Sequence, residues 1–486
     1  MTVMRMEASG SAANPVFSSE WWSAKLAGPI IAAAALRFAL LALTLLRAGT
    51  SGLASIDTYS YLEPGRNLLL HGRFFAGGIP EIFRTPGYPL FFAVTSLAGL
   101  PAASVANVLL SLFSVLLVWR LGRSCFGDDR IALGAAWIFA IEPLAVARSV
   151  QLLSDTLFLA LLLLSLERVA EFLRSRRLPV LAGAGLWLAV ATFVRPVTYY
   201  LPFALAAGLF LVLAHVPYFS PQQHQPDAGN PGLRWKAPAV LLLCAMPWLA
   251  LWQMRNGLET GYYGFSSITE ENLYFYSEAD VIARLQHRNF IEVQDELDAH
   301  CNAGCGEQAT PGQPRLEQNP ALNKAHQGPR LAFMRAEALH VFRAHYGIYM
   351  ASICTSFLET AFFPGMGSVD SLLLPKGHVP IDDLIISNGP VGSILFVAQS
   401  YPWIAVVKAV AGLFLIALYL LAARGARRIG SNSAHLRLLL GTMLYFLAIS
   451  AAAAGPGADA RYRLPVMPAV CILAAAGLQR SKPSAA

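Results

Sequence analysis

Asp57 stands just beyond a long apolar run, in the stretch Ser55–Pro89, SIDTYSYLEPGRNLLLHGRFFAGGIPEIFRTPGYP, with Tyr59, Tyr61, Arg66, Arg73 and Arg84 close by in the chain. A carboxylate in that place can take a proton from a hydroxyl, while guanidinium groups beside it hold a phosphate through arginine's planar fork. Tyr59, Tyr61, Leu62, Gly65 and Leu69 recur at helical spacing, which puts Asp57 at the head of a helix. An aspartate at a helix start is also a good cap, and capping is the rival reading. Arg84 opens Arg84-Thr-Pro-Gly-Tyr-Pro89, predicted as a rigid turn because Pro86 and Pro89 fix φ and Gly87 lets the backbone bend. That turn immobilises Arg84. Arg66 and Arg73 read as interfacial arginines touching lipid head groups.

A second group follows. Glu142-Pro143 ends one apolar run and Ser154-Asp155 opens the next, and ionisable groups at such depth are costly unless used. Asp155 could equally cap its helix, and Glu142 could pair with Arg148. Arg195-Pro196 and Arg461-Tyr462-Arg463-Leu464-Pro465 place further arginines at helix ends, where snorkelling is the bland alternative to binding an anion. Arg37, inside the first apolar run, is expected to partner an acidic side chain. There is no P-loop, dinucleotide fingerprint, HExxH motif or zinc ligand set, and the histidines are dispersed.

The elements that must position these groups are membrane helices. Of 486 residues, 56% are hydrophobic and 13% charged, against roughly 25% charged in a soluble protein. The apolar runs are continuous and helix-length, unlike the short alternating segments of a β-barrel. Spans are predicted at 26–46, 103–121, 131–147, 156–173, 178–194, 199–214, 238–254, 403–423, 436–454 and 464–478. If 89–100 and 346–363 also cross, ten become twelve; the first reads better as interfacial or re-entrant, and the second contains Glu359. Arg120, Arg123, Arg130, Arg168, Arg174, Arg176, Arg177, Arg234, Lys236, Arg424, Arg427 and Arg428 all fall on one side if the amino terminus is cytoplasmic. Both termini are then inside, and Asp57, Asp155, Arg195 and Arg461 outside. The net charge of +7 is spread over loop ends, which is not a nucleic-acid footprint.

Three units are expected: 1–254, an N-terminal membrane module with outer loop 49–101; 255–402, an extracytoplasmic region with interfacial helices; and 403–486, the last membrane helices. Leu331–His345 reads as an amphipathic helix on the membrane surface, with Leu331, Met334, Ala338, Val341 and Phe342 as its apolar face. Four of the six cysteines, Cys125, Cys244, Cys354 and Cys471, are small core residues, while Cys301 and Cys305 lie in a polar segment where a bridge is permitted. The first apolar run is too long for a signal-peptide core and reads as an uncleaved helix.

The ordered set Asp57-x-Tyr59, Leu68-Leu69-x-His71-Gly72, Arg84-Thr-Pro-Gly-Tyr-Pro89, Pro143, Leu153-Ser154-Asp155-Thr156-Leu157-Phe158, Val194-Arg195-Pro196 and Arg461-Tyr462-Arg463-Leu464-Pro465-Val-Met-Pro468 resembles the GT-C glycosyltransferases that use polyprenyl-phosphate sugars. These include the dolichyl-phosphate-mannose protein mannosyltransferases and lipid A aminoarabinose transferases. The segment Ser266–Ala283 also looks like the extracytoplasmic region of some bacterial members. The resemblance implies an all-α, polytopic GT-C-like bundle of about ten to twelve helices with outer-face juxtamembrane helices. It implies an inverting hexosyl- or pentosyltransferase. Asp57 would then be the first-loop acidic residue assigned as base, and Asp155 the second-loop acid. Arg84, Tyr59, Tyr61, Tyr88, Arg195, Arg461, Tyr462 and Glu142 would bind the donor phosphate or substrate. Thr58 departs from the pattern, since many relatives carry a second acid there, and a divalent metal has no support in the sequence. The implied partners are a polyprenyl-phosphate sugar, a glycan, lipid or protein acceptor, and membrane lipids. A lipid-linked glycan flippase, and a glycan polymerase or ligase using a diphosphate-linked donor, are the alternatives. A flippase or transporter predicts inverted repeats with broken helices at mid-membrane, and no such symmetry is visible.

Overall fold

The computed structural model describes residues 24–215, 232–304, 327–363, 372, 395–396, 398–454 and 460–479. A helix forms at each of the ten predicted spans, because in lipid a chain must satisfy its backbone polar groups within the segment itself. They are α1 (Ala24–Ala48), α4 (Leu100–Phe126), the pair α5 (Asp129–Ala140) and α6 (Pro143–Val150), and α7 (Asp155–Ser175). α8 (Leu178–Val194), α9 (Leu201–His215), α10 (Leu233–Thr260), α16 (Pro402–Ile429), α17 (Ala434–Ala454) and α18 (Met467–Leu478) complete them. Among the described residues seven are long and apolar enough to cross a membrane, or eight if the bent α5–α6 pair is one span. α7 and α8 fall short for different reasons: α7 carries Glu167, Arg168, Glu171 and Arg174, and α8 has 17 residues. α7 is nonetheless buried on most of its surface, inside the bundle and not against lipid.

The 131–147 span is broken. α5 and α6 meet at 55° around Glu142-Pro143. The groups freed by the break are covered: Glu142 accepts the Leu144 and Ala145 N–H groups at 3.2 and 2.6 Å, and Arg37 Nη1 donates to the Ala140 carbonyl at 2.7 Å. Arg37 also donates to Ser111 Oγ at 2.7 Å and to the Ala33 carbonyl at 3.3 Å, so its direct bonds go to carbonyls and a hydroxyl, while an acid, Glu142, acts on it through its field.

Between these spans the chain builds a layer at one end of the bundle. α2 (Ile56–His71) and α3 (Gly87–Thr95) bracket a two-residue ladder, β1 (Phe75–Ala76) with β2 (Ile79–Pro80), the small exception to helix among the described residues. Pro86-Gly-Tyr-Pro89 is the first turn of α3 and not a loop turn, with Pro86 as the N-cap. Gly87 serves close approach: a Cβ there would stand 2.7 Å from the Phe193 carbonyl oxygen at the end of α8. Gly65 does the same for α2, since a Cβ would strike the Pro89 carbonyl oxygen of α3. Two small residues thus bring α2, α3 and α8 together.

The chain after α10 closes over this layer. α11 (Ile268–Asn272), a π-helical turn at Leu273–Glu278 and α12 (Ala279–Gln286) run into α13 (Phe290–Gly304), followed by α14 (Gln327–Ala344) and α15 (Tyr346–Phe362). Arg255 donates to the Glu81 and Phe74 carbonyls at 2.8 Å each, and Ser266 Oγ to the Phe83 carbonyl at 2.6 Å. The apolar face of α14 is not spread on lipid. Leu331 and Met334 pack with Ile82, Tyr274 and Phe275, and Ala338 and Phe342 with Val281. Cys305, and with it the proposed Cys301 bridge, lies outside the described residues. At the opposite end Arg120 pairs with Glu167 at 3.0 Å and Arg428 donates to the Gly477 carbonyl at 3.1 Å, so these arginines of the basic set collect away from Asp57.

Candidate functional site

Ser55 is the N-cap of α2, and its N–H is taken by Thr58 Oγ1 at 2.9 Å. Asp57, in the first turn of the same helix, is not the cap, and its side chain is spent on charge. Oδ1 receives Arg84 Nη2 at 2.7 Å and Oδ2 receives Arg461 Nη1 at 2.9 Å. Burial alone would push the Asp57 carboxyl up. The two guanidinium groups outweigh it and hold the carboxyl well below the usual carboxylate range.

Arg84 is fixed from several directions. Nε donates to Ser60 Oγ at 2.9 Å and Nη1 to the Tyr61 hydroxyl at 3.3 Å, and the guanidinium lies 4.6 Å from the Tyr61 and Phe83 ring centroids. Its backbone N–H is held by Glu81 Oε1 at 3.0 Å, which also takes the Phe83 N–H at 2.6 Å. Glu81 is buried and was not singled out from sequence; the local signal was an acid two and three residues ahead of N–H groups it could accept, the geometry of a side-chain-closed turn. Burial leaves the Glu81 carboxyl above its usual range although both N–H groups and Arg84 pull it down.

The second acid arrives on a different path. Ser154 is the N-cap of α7 without a side-chain cap bond, and Asp155 directs Oδ1 to Arg195 Nη1 in a buried ion pair. The 151–154 connection is irregular and buried, tolerable at depth only with its polar groups paired. Ser104 Oγ donates to the Val150 carbonyl at 2.7 Å, Asn107 Nδ2 to that of Gln151 at 2.8 Å, and Thr58 Oγ1 to that of Leu152 at 2.9 Å. Arg148 turns to Gln151 Oε1 at 2.9 Å, and Glu142 serves as the α6 cap.

Arg461 joins the halves. It bonds Asp57, acts on Asp155 through its field together with Arg195 and Arg148, and lies 5.0 Å from the Tyr462 ring, whose other neighbour is Arg195 at 5.6 Å. Its 3-10 segment, Ala460–Val466, is anchored by Arg463, which donates to the Thr360 and Phe363 carbonyls at 2.9 and 2.7 Å. Tyr88 is fully buried behind Tyr61, edge-on at 4.7 Å, while Tyr59 is 64% exposed on α2. The structure thus brings together Asp57, Arg84, Tyr61, Arg461, Tyr462, Arg195 and Asp155. Arg66 and Arg73 are exposed and take no part. Among the described residues no three His, Cys, Asp or Glu side chains gather as a metal site.

Residues 88–223 match the family model described as dolichyl-phosphate-mannose-protein mannosyltransferase. That segment is similar to the glycosyltransferase family so described. The segment includes Tyr88, Asp155 and Arg195, spans less than half the chain, and leaves Asp57, Arg84 and Arg461 outside it. No curated protein matches the chain. Among solved structures, the Archaeoglobus fulgidus oligosaccharyltransferase in complex with Zn and sulfate is similar at 14% identity and TM-score 0.46, covering 93% of this chain and 48% of its own. ArnT from Cupriavidus metallidurans bound to undecaprenyl phosphate is similar at 14% identity and TM-score 0.37, covering 91% and 76%. The chain spans about half the length of the archaeal structures. Neither likeness assigns a substrate.

Proposed function

We propose that this protein is a membrane glycosyltransferase that moves a hexosyl or pentosyl group from a polyprenyl-phosphate donor to an acceptor hydroxyl at the extracytoplasmic face. The observation that carries the reading is the convergence of two carboxylates and three guanidinium groups from four separate chain segments at one end of the bundle. The family segment supports the same class of chemistry.

In the proposed step the acceptor hydroxyl gives its proton to Asp57 as its oxygen bonds to the sugar C1. The C1–O bond to phosphate breaks, and its electron pair leaves with the polyprenyl phosphate. Help of this kind from a general base is worth about 10²–10⁴-fold. Arginine beside the phosphate stabilises the charge that develops there. Asp155 keeps Arg195 in place, and Tyr462 gives Arg195 and Arg461 a shared ring to lean on. In the proposed topology both termini are cytoplasmic.

Mass spectrometry of lipid-linked sugars in a deletion strain tests the reading: a polyprenyl-phosphate sugar should accumulate and disappear on complementation. No change in any such lipid overturns it. Reporter fusions after Arg177 and Gln286 should read inside and outside, and the reverse overturns the topology.

A further inference from the structure

Arg176 ends α7 in a conformation that side chains avoid. It is the C-cap of that helix at φ 57° and ψ 14°, one of two non-glycine residues with positive φ among the described residues. Glycine is the usual occupant of such a place, because a Cβ crowds the following carbonyl in the left-handed region. The side chain is half-buried, and its Nη1 is closed off from solvent with no hydrogen-bond partner among the described residues. Burial is the one cause acting on the guanidinium, and it lowers the pKa with no acid to offset it. Of the acids on α7, Glu167 is taken by Arg120 and Arg168 at 3.0 and 3.6 Å, and Glu171 is not among the groups acting on Arg176. An enclosed guanidinium N–H without an acceptor is costly, and backbone strain persists where the surroundings hold it for a use.

The neighbours of Arg176 add positive charge. His435, at the start of α17, donates Nε2–H to the Ala170 carbonyl at 3.1 Å, since a carbonyl only accepts, and the bond seats α17 beside the last turns of α7. His435 lies within the fields of Arg174 and Arg176 alike. α7 runs 21 residues from Asp155, about 30 Å at helical rise, so this group stands at the opposite end of the bundle from the acidic site. A cation at a helix C-terminus also opposes the helix dipole, but that role needs neither a left-handed backbone nor an enclosed nitrogen. We propose that Arg176, in the seam between α7 and α17, binds a phosphate group, with Arg174 beside it. The ligand supplies the acceptor that Nη1 lacks, and arginine's planar fork suits phosphate oxygens. Two sources carry that chemistry, the head group of an anionic lipid and free phosphate. The glycolipid reading of the Asp57 site does not enter the proposal.

The test uses full-length protein in phosphatidylcholine nanodiscs, read by unfolding temperature and by native mass spectrometry of retained lipid. One arm adds phosphatidylglycerol to the disc, and the other adds inorganic phosphate against chloride at equal ionic strength. The wild-type protein should gain unfolding temperature in one arm or both, and the arm that responds names the source. Arg176→Gly should lose that gain and hold the phosphate ligand about tenfold more weakly, as one lost charge-assisted contact requires. In plain phosphatidylcholine the same variant should unfold about 1–2 °C higher than the wild type, because glycine relieves the left-handed backbone, so the lost gain is not damage to the fold. Arg176→Asn, which also tolerates that backbone, covers the case in which glycine does not fold. Arg177→Gln removes the same charge from the exposed neighbouring residue and should keep the gain. No gain for the wild type in either arm overturns the site. A gain kept by both Arg176 variants, or lost equally in Arg177→Gln, overturns it too, because the effect is then one of overall charge.

Discussion

Thr58 donates its hydroxyl hydrogen to the Leu152 carbonyl at 2.9 Å, tying the helix that presents Asp57 to the connection that ends in Asp155. The Leu152 N–H returns the tie by donating to the Leu53 carbonyl at 2.9 Å. Thr58 is thus a fastener between the two acidic elements. Thr58→Val removes the donor and leaves a buried carbonyl unpaired, at about 1–3 kcal/mol. Transfer should fall by about 10²-fold, because displacements near 1 Å cost that much. Thr58→Ser should recover most of it. Steady-state rates beside thermal unfolding separate the two effects, and full activity in Thr58→Val would remove the fastening role.

Asp57→Asn should lower transfer by about 10²–10⁴-fold while membrane insertion is kept. Donor lipid should bind as well or better, because Arg84 and Arg461 lose the carboxylate that occupies them. Binding and turnover measured on one preparation decide it. Turnover at the wild-type rate would end the base assignment.

The Asp155–Arg195 pair predicts an asymmetry. Asp155 is 3% exposed and Arg195 14%, so Arg195→Ala strands a buried carboxylate at a cost of about 3–5 kcal/mol. Asp155→Asn should cost less, and the double variant Asp155→Asn with Arg195→Gln less than Arg195→Ala alone. Chemical or thermal unfolding of the three variants reads the order directly.

Gly65→Ala should separate α2 from α3, since the added Cβ strikes the Pro89 carbonyl oxygen. Overpacking of this kind costs about 1–3 kcal/mol. The larger consequence is on activity, because Asp57 and its partners Ser60 and Tyr61 all ride on α2. Wild-type rates and unfolding temperature in Gly65→Ala would mean that the helices can part without moving the site.

Glu278 supplies a pH dependence outside the spans. Burial, and secondarily Glu337, push its carboxyl up to about 8. An acid raised in the folded state holds a proton that the unfolded chain has released, so stability falls as pH rises from about 4.3 to about 8 and is level above that. Glu278→Gln should flatten the fall, as read by unfolding temperature across that range. An unchanged profile would show that Glu278 ionises freely in the folded protein.

Hydropathy and arginine placement are properties of short windows, and lipid permits few answers to them, so the ten helices and the separation of basic ends from the acidic site could be read along the chain. Asp57, Arg84, Asp155, Arg195 and Arg461 stood out for the same reason: charge beside an apolar run is expensive and therefore informative. Partnership was a different matter. Asp57 and Arg461 lie 404 positions apart, and no local pattern could reveal that Arg461 closes the second oxygen of Asp57 while Arg84 closes the first. The same limit explains why the bond of Arg37 to the broken end of α5 could not be read locally, and why α14 was laid on lipid when Tyr274 and Val281 cover it. A helix's apolar face states that something will cover it, and packing in three dimensions chooses what. Glu81 and Thr58 belong to this second class: ordinary loop and cap residues in one dimension, and in the fold the supports of the arginine and of the carboxylate.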